Sequence, residues 1–322
     1  MEYKHVFVPF DLIHSEDTQL KISTGAVSAA LVQSIKRIGL LNPPALLACS
    51  SGYRIVSGFK RIEASRQTAT GGIVARVLDP VTPLERCIQI AIVDNTSQRS
   101  LNIVEQAHAV ALLSSVYSDR TQLVGAANLA GLSINPDMAD KLIKLAGMDP
   151  LLKSGVMDGS IALPVAMQLH DMNDAAAVRV VGVLLRELGL SLNRQREILE
   201  WVVSICRRDD IAPAELLAVQ DIVHYRQNKD LDRRQKGQLI REYLKKRRYP
   251  TILRYERRFA DTVRRLKLSK GTSLIAPPHF EGSIYGLKFE FKNQSELVDK
   301  LQEMEKIVKS EIMQLFWDDS QK

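Results

Sequence analysis

The chain is poor in cysteine, in aromatic residues and in long apolar runs. Its 3 cysteines in 322 residues, Cys49, Cys87 and Cys206, are an odd number with no paired spacing. That excludes a disulfide framework and a thiolate metal site, and it points to a reducing compartment. The opening segment, MEYKHVFVPFDLIHSED, has no basic stretch followed by a long apolar one, so no secretory signal is read in it. The most apolar later segment, Ala175 to Leu185, contains Arg179 and is too short to span a bilayer. A cytoplasmic protein without a membrane partner is expected. Walker loops, zincin motifs and recognisable nucleophile triads are missing as well.

What is present is ordinary in amount and unusual in distribution. Apolar residues make up 45% of the chain and charged residues 25%, the balance of a globular protein with enough material for two or three domains. Residues 226–270 carry 17 Lys and Arg against 5 Asp and Glu, an excess greater than the +7 of the whole chain. Concentration of that kind points to a polyanionic partner.

The spacing of apolar residues divides the chain into four parts. Residues 1–100 read as mixed α/β. A strand over Val6 to Ile13 is interrupted by Pro9, which suits a sheet edge. A helix carries Leu31, Ile35 and Ile38 and stops at Gly39. Strands follow over Ala45–Cys49, Tyr53–Ser57 and Ile73–Leu78, the first two paired through the turn at 50–52. Between the last two strands, Gly58 breaks the chain and Phe59 to Arg66 suits a short helix with Lys60 and Arg61 in its first turn. Cations are unfavourable there, because the free amide hydrogens and the dipole already make a helix N-terminus positive. Glycine, exposed amides and two cations together form a candidate phosphate cradle. A capping box at Thr82–Glu85 opens the next helix, which is expected to run out at Asp94 and Asn95. Asn102 to Glu105 opens another.

Residues 101–225 show almost only helical periods. Within them, about 121–147 has helix-turn-helix spacing, with helices at Leu123–Ala130 and Asp137–Leu145. Residues 226–270 read as one or two long basic helices, a candidate phosphate-binding strip holding Lys245, Lys246, Arg247, Arg248, Arg254, Arg257 and Arg258. Tyr225, Tyr243, Tyr249 and Tyr255 are placed either to stack on bases or to pack locally. Residues 271–322 read as a strand through Tyr285 to Phe291 and one amphipathic helix from Asn293 to Phe316, too little to bury itself well, so self-association through this unit is expected. The fold class is α+β.

In chain order, four stretches resemble the ParB family of partition proteins, within the ParB/sulfiredoxin superfamily. VPFDLIHSEDTQLK resembles the family's opening strand and its glutamine-x-arginine element, with Gln19 as the glutamine and Lys21 in place of the arginine. SIKRIGLLNPPALLACSSGYRIVSGFKRIEASR resembles the run that ends glycine-glutamate-arginine-arginine-x-x-alanine. Gly58, Lys60, Arg61 and Ala64 hold that pattern, and Phe59 replaces the glutamate. IAIVDNTSQRSLNIVEQA resembles the glutamate-asparagine box, with Asp94 and Asn95 matching and Arg99 one place later than usual. LVGAANLAGLSINPDMADKLIKLAGM resembles the helix-turn-helix with one extra residue in the turn. The resemblance covers residues 4 to 170.

The resemblance implies a CTP-binding first domain, with Gln19, Lys21, Gly58, Lys60 and Arg61 on the phosphates and Asp94 and Asn95 on a magnesium ion. It also implies DNA as partner, contacted by Ser133, Asn135, Lys141 and Lys144 of the helix-turn-helix; the basic strip, read from its charge alone, adds salt-sensitive affinity to that expectation. A homodimer, a partner ATPase in the case of a partition protein, and a nucleoid location in a bacterium belong to the same expectation. Slow CTP hydrolysis is compatible with it. The alternative is a superfamily enzyme, a nucleotide hydrolase, phosphotransferase or nuclease, that uses the same cradle with Glu63, Glu85 or Glu105 as base. Sulfiredoxin-type cysteine chemistry does not fit, because Phe59 stands where that cysteine would be.

Overall fold

The computed structural model describes residues 4–68, 71–277 and 284–318, and divides the chain into two compact units, residues 1–196 and 197–322. The first unit opens with a five-stranded mixed sheet. Strand β1 (Lys4–Pro9) ends at its proline, a short 3-10 turn spans Phe10–Leu12, and β2 (Ile13–His14) follows. Strands β3 (Ala45–Cys49), β4 (Gly52–Ser57) and β5 (Gly72–Leu78) complete the order β1-β5-β3-β4-β2. One interrupted segment thus supplies both edges, and Pro9 sits where a missing N–H is tolerated. Strand β3 runs antiparallel to β4 and parallel to β5.

Helices α1 (Ala29–Ile38) and α2 (Phe59–Arg66) pack together beside the sheet, with Ile62 in a core that includes Val8, Leu46, Ile55 and Ile73. Helix α3 (Leu84–Thr96) lies against β4. Its cap is Pro83, without a side-chain bond, and not the expected threonine box. Thr82 is already committed to a turn in which its N–H donates to the Asp79 carbonyl at 2.9 Å. The helix ends at Thr96, one residue beyond the expected Asp94 and Asn95, where the Asn95 and Thr96 side chains donate to the Ala91 and Ile92 carbonyls.

Helix α4 (Ile103–Ser114) starts on the expected capping box of Asn102 and Glu105. Helices α5 (Arg120–Leu129) and α6 (Pro136–Ala146) pack on α4 and on each other, followed by α7 (Pro150–Met157), α8 (Leu163–Asp171) and α9 (Ala175–Leu188). Leu113, Leu123, Leu142, Leu145 and Leu152 are fully buried in this helical body. The α5–α6 turn takes six residues, 130–135. Asn128 stitches it by accepting from the Ile134 N–H at 2.9 Å and donating to the Ile134 carbonyl.

Helix α10 (Leu192–Asp209) contains the boundary between the units. The second unit continues through α11 (Pro213–Leu217), α12 (Gln220–Gln227) and the basic pair α13 (Arg233–Arg248) and α14 (Pro250–Leu266). Its end differs from expectation in two ways. Strand β6 (Thr272–Ile275) pairs antiparallel with β7 (Gly286–Phe289), giving two strands where the pattern showed one. The apolar stripe is also split into α15 (Gln294–Val308) and α16 (Glu311–Asp318), because Ser310 turns the chain and its hydroxyl accepts from the Met313 N–H. Met304, Ile307 and Met313 form a small core with Leu266 and Phe289. Among the described residues no helix is long and apolar enough to cross a membrane.

Candidate functional site

Gly58 fixes how the chain enters α2. Its φ of +89° is left-handed, and a Cβ there would come within 2.7 Å of the Pro44 side chain, so only glycine fits. The next two cations then diverge to opposite sides of the helix start.

Arg61 turns inward. It pairs with Asp94 and donates to the Asn42 carbonyl at 2.8 Å, with both partners of the pair close to nine-tenths buried. Arg76 on β5 reaches the other Asp94 oxygen at 3.5 Å and donates to the Pro43 carbonyl at 3.2 Å. Gln98 also donates to Asp94, at 3.3 Å. One carboxylate is thus shared by two guanidiniums that together pin the 42–44 turn. A cavity of about 720 Å³ opens beside this cluster between α3 and α5, lined by Arg76, Val93, Asp94, Ala126 and Leu129.

The magnesium site implied by the resemblance does not fit this arrangement. A hard divalent cation needs carboxylate oxygens turned to it. Both oxygens of Asp94 are occupied by cations, and the Asn95 amide donates to the Ala91 carbonyl of its own helix at 2.8 Å. Among the described residues no group of three or more His, Cys, Asp or Glu could hold a metal ion.

Lys60 points the other way. Its ammonium donates to the Thr24 carbonyl at 2.6 Å. Lys21 lies 6.0 Å from the centre of the Phe59 ring, exposed at the same helix start. Thr18, Gln19, Lys21, Ser23, Thr24 and His108 line a second, more polar cavity of about 740 Å³. The expected phosphate ligands are therefore split: Gln19, Lys21 and the acceptor of Lys60 on one side of Gly58, and Arg61 on the other. Just before Gly58, the Ser57 hydroxyl is 1% exposed and has no hydrogen-bond partner among the described residues.

Behind the lysine side lies a buried ion. Glu105, 1% exposed, accepts from both Arg99 nitrogens at 2.6 and 2.8 Å, from the Thr24 N–H at 2.9 Å and from the Asn102 N–H at 3.1 Å. Burial pushes its carboxyl up, but the Arg99 bonds and the two backbone amides outweigh that and hold it at about 2. One turn on, burial lowers His108, whose ring bonds the Ile22 backbone. Asn102, Glu105 and His108 thus hold the segment 22–24 along one face of α4.

The sequence reading missed Arg76, Thr24 and His108. An arginine inside the apolar run Gly72–Leu78 was the available signal for the first. Nothing local marks Thr24, whose partners are 36, 78, 81 and 133 residues away.

The enzyme candidates are dispersed. Glu63 is exposed on α2, Glu85 accepts from the Tyr117 hydroxyl and Gln89, and Glu105 is locked in its ion pair. Cys49 pairs with Gly52, at the opposite end of the β3–β4 ladder from the Ala45–Ser57 pair beside Gly58.

The nucleic-acid candidates separate just as clearly. In the helix-turn-helix, Ser133 is exposed and Asn135 caps α6 by accepting from the Met138 N–H at 2.8 Å. Lys141 pairs with Asp137 at 2.5 Å, and Lys144 pairs with Asp171. In the second unit, Arg247 pairs with Asp209 at 3.2 Å, Arg248 lies over the Tyr249 ring, and Arg258 donates to the Leu315 and Phe316 carbonyls. Lys245 is 3.8 Å from Glu256, and Lys246 lines a cavity with Tyr225 and Tyr243. Arg254 and Arg257 remain exposed, joined on α14 by Arg264 and Arg265. Positions 254, 257, 261, 264 and 265 share one helical face, whose only acid is Asp261, 3.4 Å from Arg264.

No protein-family model matches the chain, and no curated protein matches it. Among solved structures, it is similar to the C-terminally truncated chromosome-partitioning protein ParB from Caulobacter crescentus complexed with CTP-gamma-S. Identity there is 16% and the TM-score 0.27, over 56% of this chain and 98% of that one. The truncated Caulobacter crescentus protein complexed to the centromeric parS site gives 15% and 0.34, over 59% and 96%. A Pnob8-like ParB-N domain gives 13% and 0.37, over 76% and 98%.

Proposed function

We propose that this chain is a ParB-like DNA-binding protein whose first domain responds to a phosphate-bearing ligand, CTP by the sequence resemblance. The observation that carries DNA binding is the exposed face of α14, where Arg254, Arg257, Arg264 and Arg265 stand against a single acid. A row of guanidiniums on one helix face suits a polyanion, because each can take a phosphate oxygen in a charge-assisted bond. The paired lysines of α6 offer less, so the helix-turn-helix supplies shape and register in this reading and α14 supplies charge. On the ligand side, Lys21 and Lys60 with Gln19 take the phosphates, and Arg61 and Asp94 hold the turn that shapes the site. Self-association through residues 271–322, a partner ATPase and a role in DNA partition belong to the same reading. The half-exposed Leu287, Phe291 and Leu301 support the self-association.

The test is DNA affinity as a function of salt. Six or more phosphate contacts should cost about three orders of magnitude in affinity between 50 and 200 mM salt. Changing the four arginines of the α14 face to alanine should flatten the logarithmic slope by about 3 to 4. An unchanged slope in that variant would remove α14 from the DNA interface.

A further inference from the structure

Thr24 is held from two sides, and the two grips differ in kind. Towards α4, its N–H and hydroxyl donate to the buried Glu105 carboxylate at 2.9 and 3.2 Å, and its hydroxyl accepts from the Asn102 amide at 2.9 Å. Every member of that cluster has several partners, so no single contact can be exchanged cheaply. Towards α2, the grip is one bond, from the Lys60 ammonium to the Thr24 carbonyl. That bond joins an ammonium on a flexible four-carbon stem to a neutral acceptor.

The chain around Thr24 is suited to move on one side only. Leu20 and Ile22 are 2% and 1% exposed and anchor the approach. Beyond Thr24, Gly25 has φ +75° with open space where a Cβ would stand, and Gly25 and Ala26 are exposed. The segment ends at Ser28, whose hydroxyl caps α1 by accepting from the Leu31 N–H at 3.2 Å. Helix α1 in turn packs on α2.

We propose that residues 23–28 form a strap closed by Lys60, and that an oxyanion at the first turn of α2 releases it by taking the Lys60 ammonium from the Thr24 carbonyl. An oxyanion is the better acceptor, because it adds the Coulombic attraction of a full negative charge to the ammonium, which a neutral carbonyl lacks. The Glu105 grip stays in place as the pivot. Release then frees Gly25 to Ser28 and the cap of α1, widens the cavity lined by Gln19, Lys21 and Thr24, and carries ligand occupancy into α1. The strap rests on the reading of α2 as an oxyanion site, and deepens it by naming the bond that senses occupancy.

Hydrogen exchange on the full chain, with tripolyphosphate as probe, tests it. Saturating probe should raise exchange at Leu31 and Val32, whose N–H groups donate to Ser28, at least about fivefold, with the Thr24 N–H and residues 103–114 unchanged. The variant Lys60→Met should show the raised rate without probe and no further response, and Lys60→Arg should restore protection. Uptake of tripolyphosphate by calorimetry with unchanged exchange at Leu31 and Val32 would overturn the strap and leave the oxyanion site standing. If the wild-type chain takes up no tripolyphosphate, the oxyanion site falls with its release step, and wild-type protection in a folded Lys60→Met would remove the Lys60 grip as well.

Discussion

The two sides of the α2 entrance use the same raw material to different ends. On one side, Arg61 and Arg76 share Asp94 and bind the 42–44 carbonyls, and the charges are largely spent inside the fold. On the other, Lys60 rests on a carbonyl and Lys21 on an aromatic ring. Guanidinium, planar and many-handed, suits a buried strut, whereas a flexible ammonium is easily redirected to an arriving anion. Adjacent cations in sequence thus divide into one that builds the site and one that serves it.

The largest test of that division is a pair of variants with opposite signatures. Lys21→Met combined with Lys60→Met should weaken tripolyphosphate binding about 100-fold, two charge-assisted contacts at roughly 1.5 kcal/mol each, with little change in melting temperature. Arg61→Ala should do the reverse. It takes the nearer guanidinium from the nearly buried Asp94, leaving Arg76 at 3.5 Å and Gln98 at 3.3 Å, so the fold should lose about 2 kcal/mol while the protein that remains folded binds within about threefold of wild type. Calorimetry and thermal melts read both. A stable Arg61→Ala that no longer binds would invert the assignment.

The contrast also shows what the sequence could and could not disclose. The β4–Gly58–α2 unit was legible because glycine punctuation, strand composition and the cation pair are local signals. The same holds for the Asn102–Glu105 box, which the chain forms as read. The direction of each cation was not legible, because Arg61 is steered by Asp94, 33 residues on, and Lys60 by Thr24, 36 residues back. Strand β6 escaped for a related reason: Thr272–Ile275 is too short to show a period, and only its partner β7 makes it a strand.

A second test addresses the buried ion behind the lysine side. Glu105 has a folded pKa of about 2, below its ordinary 4.5. Its stabilisation is therefore whole above about pH 4.5 and is lost as the pH falls towards 2, amounting to about 2 kcal/mol by pH 3. Urea melts between pH 5 and 3 should show that fall, and Glu105→Gln should remove most of it. An equal fall in Glu105→Gln would place the acid-sensitive group elsewhere.

The smallest expected effect is the response to metal removal. A magnesium ion beside Asp94 would have to displace Arg61 or Arg76 from its oxygens, leaving a guanidinium uncompensated in a place that is close to nine-tenths buried on the Arg61 side. Neutralisation of the ligand's charge falls instead to Lys21 and Lys60, which need no metal. Tripolyphosphate affinity measured in EDTA should thus stay within about twofold of that in EDTA-free buffer without added metal, because a twofold change is only about 0.4 kcal/mol. A drop of tenfold or more in EDTA would show that Asp94 leaves its arginines for a metal, and the arginine side would then be the working half of the site.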